Sequence, residues 1–427
     1  MLPVQNKPYI DKCIVSFSHN RYSTRRGADR ASLKKANREI TAGKRGISHL
    51  ILRAGDDQID RLKFLFLICG IPLACYAMAN LLHSSLKEIV VIGSSEVKRI
   101  LDAFLNITGD KGKTVHFVLE DPEYLSLMNT MNLGRNKLSL DSNEMVLFQP
   151  GDLPFMYDLE KVLRDEEIQN HNLILWLNAR EKMFPWFEEN PESEFITRNY
   201  HYRTIDEKAD EVLEVKEPNI YPINFSAMEP DIIELLHQTR KDGQIFKAGI
   251  TKALRHPARF LRLLPVFTHQ LLHFRSDLEQ FRKNDDYQFG MHKKNFDYGI
   301  SVLLNTAFTT KMHNDPAFVA DVDALEDWED YESLTNYAQR KAGDNGLVEI
   351  HPCGEELLKF REKAMPELRK NIPMYINFCG YINRIYQTLR MSHVPFDNNG
   401  NYIDRKPSNK KLDHAFRWYN HKVRSLV

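Results

Sequence analysis

The sequence predicts an α/β, three-layer sandwich built on a mostly parallel twisted sheet, with helical extensions at both ends. Three observations predict it. From about residue 47, short apolar runs alternate with amphipathic stretches of helical period. Several of the runs are apolar along most of their length, which marks strands covered on both faces. Polar residues also collect where the runs end, as they do at the ligand-binding edge of such sheets.

The elements follow in order. "HLILRAG" (49–55) reads as a strand and "PLACYAMANLLHSS" (72–85) as a helix opened by proline at its first position. "KEIVVIGS" (87–94) has the β-branched run of a buried parallel strand, and "SSEVKRILDAFLN" (94–106) begins with a serine cap and repeats apolar residues at helical spacing. Strands at "KTVHFVLE" (113–120), "EMVLFQP" (144–150) and "HNLILWLNA" (171–179) continue the series. "KEPNIYPINFSAM" (216–228) is a short strand feeding a helix, and "FVADVDALEDWEDYESL" (318–334) a strand, an acidic turn and a helix. Residues 1–46 form a basic extension, 47–335 the main domain, and 336–427 a mostly helical extension.

Composition narrows the function classes. The 427 residues carry 58 basic and 58 acidic side chains, so net charge makes no case for nucleic acid. Nine Lys/Arg between Asn20 and Gly46 face only Asp29 and Glu39, a pattern that fits phosphate contact or a solvated helix. Five scattered cysteines without a CxxC pair point to reduced thiols, no zinc ribbon and a cytoplasmic setting. "FLFLICGIPLACYAMANLL" (64–82) is long enough to span a bilayer, but Gly70, Pro72 and Asn80 break it into an extended piece, a turn and a buried helix. No basic and apolar leader opens the chain, so no signal peptide is expected.

The strand exits hold the candidate chemistry. Arg53, Gly55, Asp56, Asp57, Arg61 and Lys63 follow the first expected strand, Asp152 follows the 144–150 strand, and Asp321 and Asp323 follow the run near 318–322. Carboxylates and a lysine on neighbouring exits suit Mg²⁺, which binds through one or two carboxylates and substrate phosphates. The lysine then neutralises charge on a transferring phosphoryl group. Each has a plain alternative. Asp152 suits a helix cap, the "DVDALED" run an acidic helix N-terminus, and Lys63 a solvated surface position.

The order of these pieces resembles the MobA-like and sugar-phosphate NTP nucleotidyltransferase family. "LILRAG…RLKFLFLICGIPLACYAM" is similar to its first motif of strand, glycine loop, lysine and "GxPL" helix start, with Lys63 on the family lysine and Gly70-Ile71-Pro72-Leu73 on "GxPL". "QPGDLPF" is similar to its "GDxPL", and "VADVDALEDWEDY" to its late "DVDTPEDL". The resemblance implies a GT-A-like fold and transfer of an NMP from an NTP to a phosphate-bearing acceptor, with release of pyrophosphate. It implies Mg²⁺ (or Mn²⁺) on Asp152 with Asp323 and Asp321, and Lys63, Arg61 and Arg53 as the catalytic cations. Ala54, Gly55, Asp56, Gly151 and Asp152 become the nucleotide-binding positions, and Asn224 and Lys216 the acceptor-binding ones. The partners it implies are an NTP and a phosphorylated small-molecule or lipid-linked acceptor, without nucleic acid or a transmembrane span, in a chain compatible with a homodimer.

The sequence departs from that pattern at the loop "RAGDDQIDRLK", where only Gly55 remains and three aspartates add negative charge. Two other readings therefore stay open: a degenerate relative acting as a binding scaffold, and a GT-A glycosyltransferase using a nucleotide-sugar donor.

Overall fold

A computed structural model describes residues 9–17, 63–120, 127–155, 158–179, 202–206, 211–216, 219–229, 256–283, 291–313, 315–318, 320–322, 325–388, 391–403 and 409–426. Its first strand, β1 (Lys12–Ser16), precedes a two-residue-strand hairpin, β2 (Leu67–Ile68) and β3 (Ile71–Pro72). Helix α1 (Leu73–Leu82), strand β4 (Glu88–Gly93), helix α2 (Ser95–Thr108), strand β5 (Thr114–Leu119), helix α3 (Leu127–Leu138) and strand β6 (Val146–Pro150) follow. After α4 (Glu160–Leu163) come strands β7 (Leu173–Ala179), β8 (Tyr202–Asp206), β9 (Glu211–Lys216) and β10 (Tyr221–Ile223). Helix α5 (Pro257–Lys283), strand β11 (Met291–His292), helix α6 (Lys293–Leu304) and strand β12 (Phe308–His313) lead to α7 (Leu325–Ala342).

The ten-stranded sheet has the order β11-β8-β9-β7-β10-β6-β1-β4-β5, with β12 on β7. β1 pairs parallel with β4 and β6, β4 with β5, β12 with β7, and β11 with β8. β10 is antiparallel to β6 and β7, and β9 antiparallel to β7 and β8, so only β9 and β10 run against the rest. The predicted α/β class with a mostly parallel sheet is the one observed.

Alternation along the strands builds the layers, because successive side chains leave opposite faces. Ile14, Val90, Ile92, Val146 and Phe148 meet Met131 and Leu138 of α3 on one face. Cys13, Val15, Ile89, Val91 and Leu147 meet α1 and α2 on the other. In α2, Ser94 caps the start by accepting from Val97 N–H at 3.3 Å, and Val97, Ile100, Leu101 and Phe104 form the buried stripe.

The long apolar run resolves as expected into hairpin and helix. Cys69 and Gly70 turn between β2 and β3 with φ of 53° and 72°, and all ten residues of α1 are buried. Two successive positive φ values suit a tight two-residue hairpin, and Gly70 adopts its own at no steric penalty. Among the described residues, no helix is long and apolar enough to cross a membrane.

Several observed elements differ from the expected ones. Residues 12–16, assigned to the basic extension, form the strand at the middle of the parallel half of the sheet. Its five residues sit beside a basic stretch that masked their strand character. The expected strand 49–55 lies outside the described residues. Among the described residues of 318–322 none is in a strand: a 3₁₀ turn (Pro316–Phe318) comes first, residues 320–322 are irregular, and the strand is β12, just upstream. The boundary drawn at 335 falls inside α7. Helices α8 (Gly346–Ile350), α9 (Gly354–Lys363), α10 (Met365–Asn371), α11 (Pro373–Ile376), α12 (Phe378–Thr388) and α13 (Asn409–Leu426) follow it. Their Leu347, Phe360, Tyr386 and Tyr419 share one core with Phe66, α1, α2 and Trp328 of α7.

Candidate active site at the β1/β6 switch point

From β1 the chain proceeds through α1 to β4 and β5 on one side, whereas β6 leads to β7 and β10 on the other. The carboxyl ends of β1 and β6 therefore flank a topological switch point, where open α/β sheets leave a crevice for ligand. Phe17 follows β1, and Gly151 and Asp152 follow β6. Gly151 N–H donates to Ser16 C=O at 2.7 Å, and a Cβ at Gly151 would come within 2.2 Å of the Phe17 ring. Glycine is thus required for this turn to close on the aromatic ring.

Lys63 reaches the turn from the 3₁₀ helix Lys63–Leu65, whose Phe64 ring meets Phe17 edge-on at 5.2 Å. Lys63 Nζ lies 2.7 Å from Asp152 Oδ2. Both residues are buried, at 9% and 8% exposure. An ion pair so far from water is held by mutual attraction in a low-dielectric setting, so removing one member costs more than the intact pair contributes. In chemical terms a carboxylate beside an ammonium is a donor set able to take a divalent cation and a phosphate together.

The Asp152 turn is fixed from behind. Val322 N–H donates to Asp152 C=O at 3.0 Å, so the segment holding Asp321 runs alongside it. Pro154 C=O accepts from His351 Nε2 at 3.0 Å and from Asn80 Nδ2 at 3.4 Å. His351 Nδ1 accepts from Cys353 N–H at 3.0 Å, which leaves the proton on Nε2. Burial pushes the His351 pKa down to about 4, keeping the ring neutral. Phe155 stacks on Tyr331 at 4.9 Å and on Tyr76 at 5.6 Å.

The structure brings Lys63, Gly151 and Asp152 together and sets the half-exposed Asp321 one residue before Val322. Asp323, Arg53, Ala54, Gly55, Asp56 and Arg61 lie outside the described residues. Lys216 ends β9 opposite Asn178, near the same sheet edge. Asn224 is not brought to this turn. It follows antiparallel β10, whose Ile223 pairs with Val146 and Leu173 at the opposite edge. Its Oδ1 accepts from Ser226 N–H at 3.0 Å and its Nδ2 donates to Asn172 Oδ1 at 3.2 Å.

Among the described residues, no group of three His, Cys, Asp or Glu converges as a metal cage. The donor set instead fits an ion that takes one or two carboxylates and completes its shell with water and phosphate. Sequence reasoning missed Phe17, His351 and Gln149, the last a lone polar residue within the apolar run "VLFQP".

No protein family matches the chain, and no curated protein matches it significantly. Solved structures resemble it weakly. A hypothetical transferase from Thermus thermophilus is 14% identical with a TM-score of 0.34, over 62% of this chain and 90% of that one. The inositol-1-phosphate CTP transferase from T. maritima is 16% identical with a TM-score of 0.29, over 51% and 72%. A UDP-glucose pyrophosphorylase complexed with UDP-glucose is 12% identical with a TM-score of 0.31, over 54% and 80%. At these identities and scores the likenesses assign neither family nor activity.

Proposed function

We propose that this chain is a Mg²⁺-dependent nucleotidyltransferase that transfers an NMP from an NTP to a phosphorylated small-molecule or lipid-linked acceptor and releases pyrophosphate. The observation that carries the reading is the buried Lys63–Asp152 pair, 2.7 Å apart at the carboxyl ends of β1 and β6. The motif order adds support, with Lys63, Gly70-Ile71-Pro72-Leu73, Gly151-Asp152 and the Asp321–Asp323 segment in the sequence of the resembled family.

Asp152, with Asp321 and Asp323, would hold the metal, which supplies charge neutralisation on phosphate oxygens when bound. Lys63 exchanges its carboxylate partner for a phosphate oxygen and stabilises the negative charge that builds as the acceptor attacks the α-phosphate. The buried turn holds these groups in place, so that catalysis is mainly positioning and electrostatics. Ala54, Gly55, Asp56, Gly151 and Asp152 are the nucleotide-binding positions of the proposal, Arg53 and Arg61 its further catalytic cations, and Lys216 lies on the acceptor side. The reduced thiols fit a cytoplasmic setting.

The test is product identity. Purified protein with Mg²⁺, each NTP and a panel of sugar 1-phosphates and inositol phosphates should release pyrophosphate for one pairing. Release of a nucleoside diphosphate from a nucleotide sugar would instead establish the glycosyltransferase reading, and no turnover or nucleotide binding would leave a scaffold.

A further inference from the structure

Gln149 stands where an apolar residue is expected. It belongs to β6, pairs with Val15 of β1, and precedes Asp152 by three residues at the switch point. On its other side, Ile220 enters β10 just before the Tyr221–Phe148 pair. Val15 and Ile220 are both fully buried, and Gln149 is 0% exposed. Among the described residues, neither its Nε2 nor its Oε1 has a hydrogen-bond partner. Asn178, at the corresponding end of β7, likewise has a buried Oδ1 without a partner.

A buried carboxamide with both functions unmet weakens the folded state, whereas an apolar side chain of similar shape would not. An unmet group of this kind calls for a partner such as an ordered water, an ion or a bound ligand. The carboxamide sets a donor and an acceptor side by side in one plane. A phosphate offers acceptors only and would leave Oε1 unmet. A nucleobase edge offers a donor beside an acceptor and meets both at once, as when glutamine reads adenine.

We infer that Gln149 receives the hydrogen-bonding edge of the nucleobase and so sets which NTP the site accepts. The inference rests on the nucleotidyltransferase reading above. Its test compares the full-length protein with Gln149→Leu and with Gln149→Met, the unbranched variant covering any misfit of leucine. Thermal melts of the free proteins are combined with titrations of ATP, CTP, GTP, UTP and tripolyphosphate, each with Mg²⁺. The expected result is a Tm of the free variant equal to or above wild type, with affinity for the preferred NTP weakened at least about tenfold. Preference among the four bases should shrink, and tripolyphosphate affinity should stay unchanged. A variant that folds and keeps the wild-type NTP affinity and base preference overturns the inference alone. Lower Tm in both variants with unchanged NTP binding also overturns it, by showing that the glutamine is satisfied inside the fold. Wild-type protein that binds no NTP overturns both the inference and the reading beneath it.

Discussion

At the scale of single residues, the decisive pair is Lys63 and Asp152. Asp152→Ala removes the carboxylate 2.7 Å from the buried Lys63 ammonium and should lower stability by about 3 kcal/mol in chemical denaturation. Lys63→Met combined with Asp152→Leu should recover most of that loss while remaining inactive, because a matched apolar pair carries no stranded charge. Glu332 is a second buried carboxyl, accepting from Cys69 N–H at 2.7 Å. Burial raises its pKa to about 7, against lowering by that bond, Asn336 and Arg361. The folded state therefore binds the proton more tightly than the unfolded chain between about pH 4.5 and 7. Its contribution to stability is full below that window and is lost as pH rises through it. Glu332→Gln should flatten this part of the pH–stability curve, as measured by melts from pH 4.5 to 8. Lys63 and Asp152 were legible because each borders an apolar run and a proline turn. Gln149 was not, since one polar residue in a strand looks like an ordinary exposed position until burial is known.

Among the secondary-structure elements, strand direction explains where Asn224 lies. The pattern of "IYPINF" gives a strand, but apolar periodicity is the same in either direction. β10 runs against its neighbours, so its end delivers Asn224 to the far edge. The strands β4, β5, β6 and β7 were read near their observed bounds because each is an apolar run closed by turn residues, buried in β4 and β6 and half-buried along most of edge strand β5. β1 was missed because it has five residues and a basic neighbourhood. The close approach of β1 and β6 makes its own prediction. Gly151→Ala forces a Cβ into the Phe17 ring and should destabilise by about 1–3 kcal/mol. Adding Phe17→Leu should restore part of the Tm.

Over the whole molecule, the C-terminal helices belong to the body that holds the site. Leu347, Ile350, Phe360, Tyr386 and Tyr419 lie in the same buried cluster as α1, α2 and α7, and His351 holds the Asp152 turn through Pro154. Sequence periodicity identified these helices but could not show that they share a core, since contacts over such separations leave no local pattern. A chain ending at Ala342 exposes that cluster and should melt by circular dichroism without the cooperative transition expected of the full chain. The central claim is that the Lys63–Asp152 pair receives a metal-bound nucleotide. Calorimetric titration of Mg²⁺–NTP into wild-type protein, Lys63→Met and the Lys63→Met/Asp152→Leu double variant tests it most directly. Binding of one NTP by the wild type, with affinity reduced at least about tenfold in both variants, is the predicted result. Equal binding by all three proteins, or none by the wild type, would contradict it.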